Sequence, residues 1–201
     1  MAKGVSYNVP YRRRREGKTN YRLRKRLISS GMPRLVVRKT GKHIALQLIN
    51  AKAVGDETVT SAYSSELRKK YGWLGGLDNL SAAYLTGLLC GYRAANKDIE
   101  SAIFDIGLQS PSKGARIFAA LKGFIDAGVE VASDEETFPD EKRITGQHIA
   151  DYAGKIASDT EVYSRRFSAY LSRGLPPQDI PKHFSQVKEK IASEFSKSAK
   201  K

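Results

Sequence analysis

Positive charge is concentrated in the first fifth of the sequence, and this asymmetry limits what that part of the chain can fold into. Residues 1–42 contain fourteen lysines and arginines but only one acidic residue, Glu16, so this segment carries +13 of the formal net charge of +14. The remainder has twenty-one basic and twenty acidic side chains and is close to neutral, at +1. Such dense like charge predicts an arm that becomes ordered against a polyanion. Solubility alone would need neither this concentration nor the preference for arginine.

The arm is expected to be extended to about residue 20 and then to form a short helix. Asn20–Ser30 can be helical, with Thr19 or Asn20 as the cap and Gly31 as the stop signal. Leu23 and Leu27 lie four residues apart and can dock on a core. The basic residues expected to point outward from this helix are Arg22, Lys25 and Arg26.

The next hundred residues predict an α/β core with a mixed sheet. β-branched residues flank the Thr40-Gly41 turn, which indicates a hairpin over residues 33–49, and Glu57–Ser64 has the composition of a third strand. Later patterns alternate between helix and strand. They comprise a helix from Ser81 to about Asn96, a strand over Ser101–Leu108, a helix over Ile117–Ile125 and a short strand at Val129 and Val131.

An acidic linker beginning at Asp134 separates this core from residues with helical patterns at 146–157, 159–172 and 181–195. We therefore expect three parts: a basic arm and short helix (1–31), an α/β core (32–133), and an acidic linker with a helical C-terminal extension (134–201).

No set of residues in the sequence has the spacing of a catalytic site. The three histidines, His43, His148 and His183, are far apart and lack the i, i+4 pairing of a helical metal site. Cys90 is the only cysteine, so no internal disulfide can form and a reducing cytoplasm is expected. It lies in an apolar stretch, which predicts a buried, inert thiol. The sequence has no apolar run of eighteen residues and no N-terminal secretory pattern.

Asp105 is a carboxylate within an apolar strand, and two interpretations of it are open. It could bind a catalytic metal ion, but two-metal catalysis needs several converging carboxylates, and none is evident in a strand core. The residues favour a structural role, as acceptor for a loop amide or a nearby cation. Gly87 and Gly91 are spaced for close packing, which we expect to be against the sheet.

The segment Gly107–Arg116 follows a strand and opens a helix, so its backbone N–H groups can face an anion. Lys113 and Arg116 strengthen this interpretation, although a plain strand–helix connection has the same features. Together with the cationic arm, the segment predicts a second RNA contact.

Tyrosines are interleaved with the arginines of the arm. Tyr7, Tyr11 and Tyr21 flank the run Arg12–Arg15. Guanidinium groups pair with phosphates and stack on bases, and tyrosine rings are stacking platforms for unpaired bases. A membrane-surface helix would instead need large apolar residues opposite its basic face, and the arm has too few. This pattern predicts binding to structured RNA, with no membrane partner.

Several motifs occur in register from about Tyr7 to Tyr152. They are Arg12–Arg15, Tyr21, Pro33–Lys39, Gly41–Ile44, Ser81–Leu89, Asp105–Leu108, Ser110-Pro111, Phe118-Ala119, Lys122-Gly123, Asp126–Gly128 and Arg143–Ile149. Together they resemble the universal large-subunit ribosomal protein eighteen family in its archaeal form.

The resemblance implies a structural protein of the large ribosomal subunit in the cytoplasm, not an enzyme. Such a protein would bind 5S rRNA and help attach it to 23S rRNA at the central protuberance, beside neighbouring ribosomal proteins. The implied fold is a three-layer α/β/α core in a ribonuclease-H-like arrangement without catalytic carboxylates. No cofactor, metal ion or small-molecule substrate is expected.

Family members contact 5S rRNA through the arm and the basic hairpin, so the resemblance implies an RNA-binding role for the matching residues. These are Arg12, Arg13, Arg14, Arg15, Tyr21, Arg34, Arg38, Lys39, Lys42 and His43. Charge and position add Tyr11, Lys18, Arg22, Arg24, Lys25, Arg26, Lys113 and Arg116. For His43, an ordinary place in a surface turn is as open as a contact with a base.

Two rival functions remain. One is a metal-dependent nuclease of ribonuclease-H-like fold, which would use the arm to hold its substrate and Asp105 for catalysis. The other is a general RNA chaperone, which would not prefer 5S rRNA over other folded RNAs.

Overall fold

The computed structural model describes residues 4–198, with side chains through residue 196. Lys3 of the predicted arm and residues 199–201 of the predicted extension lie outside this part of the chain. Where the sequence predicted an extended arm, the four consecutive arginines form a single helical turn, α1 (Arg12–Arg15).

The second helix, α2 (Tyr21–Ile28), joins the arm to the sheet. The Asn20 side chain accepts a hydrogen bond from the Leu23 amide at 3.1 Å, so Asn20 is the cap of the two that were predicted. Gly31, with φ of +73°, lies beyond the end of the helix, as expected for a stop signal. The apolar side chains of α2 and the sheet that line one shared cavity are Leu23, Leu27, Val36 and Ile49.

A five-stranded mixed sheet forms the centre of the molecule, which confirms the predicted α/β class. Its strands are β1 (Arg34–Lys39), β2 (Ile44–Ala51), β3 (Asp56–Tyr63), β4 (Ser101–Asp105) and β5 (Glu130–Val131). Their order across the sheet is β3-β2-β1-β4-β5. The predicted hairpin and third strand form an antiparallel meander, β1-β2-β3, while β4 runs parallel to β1 and β5 runs parallel to β4.

Among residues 64–198, seven further α-helices follow the meander. They are α3 (Ser64–Tyr71), α4 (Leu80–Ala95), α5 (Arg116–Asp126), α6 (Glu141–Thr145), α7 (Gln147–Lys155), α8 (Thr160–Leu171) and α9 (Ile180–Ser198). Helix α3 was not predicted, because only Leu67 and Tyr71 in it are large apolar residues and it begins directly after a strand. No helix in the described part of the chain is long and apolar enough to cross a lipid bilayer.

The two faces of the sheet are covered differently. The inner face, with buried Leu35, Val37 and Leu46, packs against α4 and α5. The outer face carries the alternate residues of the same strands and is covered in part by α2. The C-terminal helices contribute to the same apolar core as the inner face. Their buried side chains include Ile144, Leu175, Ile180, Phe184, Val187 and Ile191.

Helices α4 and α5 cross in close contact through glycines. A Cβ at Gly87 would lie 2.0 Å from the carbonyl oxygen of Ala120, and one at Gly123 would lie 2.1 Å from that of Tyr84. The prediction that Gly87 and Gly91 pack against the sheet is therefore wrong: their partner is α5. The sequence gives the spacing of the small residues but not the element that they face.

Replacing Gly87 with alanine is expected to lower the free energy of unfolding by about 1 to 3 kcal/mol, because the added methyl group must push α5 away. Urea denaturation measures the change. Alanine at Gly154, where an added Cβ would meet no atom within 4 Å, is the matched control. An equal effect at both positions would contradict the close crossing.

His183 connects the C-terminal helix α9 to the core. Its ring stacks on Trp73 with centroids 5.1 Å apart, and its Nε2 accepts a hydrogen bond from the Leu74 amide at 3.1 Å. Burial lowers the pKa of His183, the charge of Lys190 adds to this effect, and a hydrogen bond with the Gly72 backbone opposes it. The neutral ring is therefore the form that the folded protein favours.

We expect the folded protein to become less stable as the pH falls below the ordinary pKa of histidine, because the unfolded chain then binds a proton that folded His183 resists. Above that pH the contribution of His183 is fully present. Urea midpoints at pH 7.5 and pH 5 measure the difference. The variant His183→Gln keeps a hydrogen-bond acceptor but does not titrate, so it should show a smaller difference; an unchanged one would contradict the assignment.

Candidate nucleic-acid interface

The helical turn α1 presents four arginines to solvent. Arg13 donates from Nε to the Thr19 hydroxyl at 2.9 Å, and Arg12 lies 3.8 Å from the Glu16 carboxylate. Arg14 and Arg15 form no ion pair within residues 4–198. The turn therefore has cationic donors that are free to bind phosphate. A bound phosphate would also relieve the repulsion between the neighbouring arginines.

Two tyrosine rings link α1 to α2. The rings of Tyr11 and Tyr21 lie 5.2 Å apart between centroids, with their planes inclined by 37°. Tyr11 is 74% exposed, so its outer ring face is open to solvent. The pair holds the arginine turn near the start of α2 and offers an aromatic surface on which an unpaired base can stack.

The basic residues of α2 divide into two groups. Arg22, Lys25 and Arg26 are exposed, as predicted, and form no ion pair in the described part of the chain. Arg24 instead pairs with Asp56 at the start of β3, with its Nη2 2.9 Å from Oδ1. The outward group is therefore available to a ligand, whereas Arg24 fixes the helix on the sheet.

A buried ion-pair network lies beneath α2 on the outer face of the sheet. The side chain of Arg34 is buried, with Nη1 2.9 Å from Asp105 Oδ2 and Nη2 2.7 Å from Asp56 Oδ2. Arg38 donates to Asp105 Oδ1 at 3.2 Å, and the Gly107 amide donates to the same oxygen at 2.8 Å. Asp105 thus accepts hydrogen bonds from a loop amide and from cations, which confirms its structural interpretation.

This network changes what Arg34 can do. An RNA contact from its guanidinium would require the loss of both carboxylate partners, so in this structure Arg34 supports the interface from below. Arg38 lies on the same face, but 44% of its side chain is exposed and can reach a ligand. Asp56 is the residue whose importance the sequence did not reveal, because its partners are distant in sequence.

The hairpin turn projects a third group of cations. The Thr40 hydroxyl accepts hydrogen bonds from the amides of Lys42 and His43, at 3.4 and 3.0 Å, and so fixes the turn. Lys42 and His43 are exposed, and Lys39 is half-buried. His43 Nδ1 lies 3.4 Å from the Ser64 hydroxyl, so one side of its ring is directed toward the protein.

The cations of the predicted loop contact are paired within the protein. Lys113 lies 2.6 Å from a carboxylate oxygen of Glu136, and both side chains are exposed. Arg116 donates to the carbonyl oxygen of Asp78 at 2.7 Å and to its carboxylate at 3.1 Å. An exposed pair such as Lys113–Glu136 is weak and can exchange its partner for a phosphate, whereas Arg116 is the more firmly held.

One cavity brings the arm, the helix α2 and the sheet together. It has a volume of about 430 Å³. The basic residues that line it are Arg13, Lys18, Arg24, Arg34 and Arg38. Gly107, Leu108 and Gln109, in the loop after β4, also line it. Five of the predicted RNA-binding residues, from the arm, α2 and β1, therefore share one region on the outer side of the sheet.

Groups typical of catalysis are not assembled in this region. Burial raises the pKa of the Cys90 thiol to about 12, so it is not a nucleophile at neutral pH. Within the described residues no three histidine, cysteine or acidic side chains are placed to hold a metal ion. The two nearby carboxylates, Asp56 and Asp105, are joined through Arg34.

Comparison with known proteins agrees with this picture. The sequence model of a family described as "Ribosomal large subunit proteins 60S L5, and 50S L18" matches residues 5–100. The large ribosomal subunit protein uL18 of Caldivirga maquilingensis is 51% identical over 202 residues, covering 100% of this chain and 98% of that protein. Those of Staphylothermus marinus and Methanothermobacter thermautotrophicus are each 51% identical, covering 97% and 96% of this chain and 97% and 100% of those proteins.

These relatives match the chain over nearly its whole length and confirm the resemblance seen in its motifs. Such proteins are structural components of the ribosome in the cytoplasm, and the nuclease interpretation is therefore wrong. The chain belongs to the uL18 family of large ribosomal subunit proteins.

Proposed function

We propose that the chain binds 5S rRNA through the arm, the exposed face of α2 and the hairpin turn, and helps attach it to 23S rRNA at the central protuberance. The observation that carries the proposal is the set of exposed cations without ion pairs in the described residues. On these three elements they are Arg13, Arg14, Arg15, Arg22, Lys25, Arg26 and Lys42, and half-buried Lys39 joins them. A folded RNA supplies the phosphates that such a surface lacks.

The interface combines a rigid and an adaptable part. The Thr40 hydroxyl fixes the hairpin turn, and the Arg24–Asp56 ion pair holds α2 on the sheet. The arm before α2 is anchored by few contacts, including Arg13–Thr19 and the Tyr11–Tyr21 ring pair. We infer that phosphate neutralisation orders the arm, while the sheet fixes the position of the RNA.

We propose that the three predicted parts of the chain have different roles. Residues 1–31 bind RNA, residues 32–133 form the rigid body, and residues 134–201 face other components of the subunit. The shared apolar core argues that the second and third parts fold together, because Phe184 and Ile191 pack against the body.

The affinity for 5S rRNA should fall steeply as the salt concentration rises. For each tenfold increase in salt, log K should decrease by roughly 0.7 to 0.9 per phosphate that the protein neutralises, and this decrease is the slope of the salt dependence. Replacing Arg12, Arg14 and Arg15 with glutamine should reduce this slope by about two to three units, since each phosphate contact contributes about one. Binding titrations at several salt concentrations measure the slope.

Replacing Lys142, Lys155 and Lys182 with glutamine removes the same charge from exposed positions outside the interface. This variant should keep the slope of the unmodified protein. A flat slope, or equal losses in both variants, would contradict the proposed surface. Equal affinity for other folded RNAs of similar length would instead favour a general chaperone.

A further inference from the structure

Two arginines from distant parts of the chain converge on one carbonyl group in the helical layer. Arg68, in α3, donates from Nη2 to the carbonyl oxygen of Gly75 at 3.2 Å. Arg173, just after α8, donates from Nη1 to the same oxygen at 3.2 Å and to that of Leu74 at 3.4 Å. The two donor nitrogens are therefore no more than two hydrogen-bond lengths apart.

This pair of positive charges has no counter-ion in the described part of the chain. Neither guanidinium forms an ion pair with a carboxylate there, in contrast to Arg93, whose Nη2 lies 2.6 Å from Glu66 Oε2, and Arg116, whose Nη1 lies 3.1 Å from Asp78 Oδ2. Burial and the nearby charge of Arg173 lower the pKa of Arg68. One neutral carbonyl oxygen offsets only part of the repulsion between two cations, so the arrangement favours an anion between them.

The carbonyl group that orients both arginines is held in place. A Cβ at Gly75 would lie 2.4 Å from the Trp73 ring, so the loop passes directly against this fully buried side chain. The Trp73 indole N–H donates to the Gly76 carbonyl oxygen at 2.9 Å, and His183 accepts from the Leu74 amide. Arg68 is exposed and Arg173 half-buried, so their remaining donors are accessible from solvent.

This arginine pair faces away from the arm. Helix α3 packs against α4 and α9 on the inner side of the sheet, whereas α2 covers the outer side. Helices α3 and α8 carry further exposed cations, Lys69, Arg165 and Arg166, which form no ion pair within residues 4–198. These three cations and the arginine pair are thus positive groups of the helical side that no carboxylate in residues 4–198 pairs with.

We propose that Arg68 and Arg173 together bind one phosphodiester group of a second RNA segment, on the side of the protein opposite the arm. Two guanidinium forks match the non-bridging oxygens of a phosphate, and the surrounding cations favour a polyanion over a single acidic side chain. The protein would then lie between two RNA segments and bind both of them. It goes beyond the proposed binding of 5S rRNA by the arm and does not require it.

Inorganic phosphate tests the site without any RNA. In the full-length protein, the Nε–Hε NMR signals of Arg68 and Arg173 should shift together and reach saturation as phosphate is added. The variant Arg68→Gln should abolish the shift at Arg173, and the signal of Arg165 should not saturate. Shifts that do not saturate, or that are independent at the two arginines, would overturn the proposal.

A second experiment identifies the RNA. The double variant R68Q/R173Q is compared with K142Q/K182Q, which removes the same charge, in binding to 5S rRNA alone and to 23S rRNA in the presence of 5S rRNA. We expect a loss of about tenfold or more in one of the two measurements, as for removal of a specific charged contact. Loss with 5S rRNA alone assigns the phosphate to that RNA, and loss only with 23S rRNA assigns it there.

Equal binding by both double variants in both measurements would overturn the proposal. The variant R68K/R173K keeps the charge but loses the planar forks, so it should lose affinity to an intermediate extent. Urea midpoints of all variants check that the Gly75 loop is intact. Failure here would leave the salt dependence caused by the arm unchanged, so the two proposals are tested separately.

Discussion

Deletion of residues 1–30 is expected to weaken binding to 5S rRNA by about 10³-fold or more at moderate salt, because it removes enough cations to neutralise about six phosphates, and each neutralised phosphate adds about 0.7 to 0.9 to log K for every tenfold that the salt concentration lies below 1 M. The deletion removes α1, the Tyr11–Tyr21 ring pair and the outward cations of α2, and it leaves the hairpin turn as the main basic contact. Titration of 5S rRNA with the intact and shortened proteins measures the loss. The salt dependence of the remaining affinity should be much shallower.

The deletion also uncovers apolar residues of the sheet, so its effect on folding must be separated from its effect on binding. Leu23 and Leu27 share a cavity with Val36 and Ile49, and their loss exposes the outer face. A shorter deletion of residues 1–18 keeps α2 and its cap. It should retain the urea midpoint of the intact protein and still lose most of the affinity. Unchanged binding by the longer deletion would refute the role of the arm.

Local sequence patterns predicted the elements that carry this interface because their signals are short-range. The Thr40-Gly41 turn between β-branched runs specifies the hairpin, and Asn20 with Gly31 specifies the limits of α2. Spacing of three and four residues was enough to assign Arg22, Lys25 and Arg26 to the outward face of that helix.

The function of individual charges could not be predicted in the same way, because it depends on partners that are distant in sequence. Arg34 and Arg38 lie on the same face of β1, four residues apart, and no local sequence signal indicates that their roles differ. The fold makes them different, since Arg34 lies beside Asp56 of β3 and Asp105 of β4 while Arg38 reaches the edge of that network. The same reason explains why the shared carbonyl of Arg68 and Arg173 was not foreseen.

Replacing Arg34 with methionine is expected to lower the free energy of unfolding by about 3 to 5 kcal/mol, the usual effect of removing one partner from a buried ion pair. Methionine fills much of the space but leaves Asp105, which is almost fully buried, with only Arg38 and the Gly107 amide. Urea denaturation measures the loss. Replacing Arg38 with methionine is the control and should cost clearly less, because its side chain is 44% exposed.

A double replacement tests whether the loss comes from the unpaired charge. In R34M/D105N both formal charges of the pair are removed, so the double variant should be less destabilised than the sum of the two single variants, with a coupling of about 0.5 to 3 kcal/mol. Additive losses would mean that Arg34 and Asp105 do not depend on each other.

The same Arg34→Met variant decides whether Arg34 also touches RNA. If its guanidinium only supports the interface, the folded variant should bind 5S rRNA with an unchanged salt slope, because no phosphate contact has been removed. If it contacts a phosphate, the slope should fall by about one unit. The ion pairs at 2.7 and 2.9 Å favour the first outcome, since Arg34 cannot turn outward without breaking both of them and leaving Asp56 with Arg24 and buried Asp105 with Arg38 and the Gly107 amide.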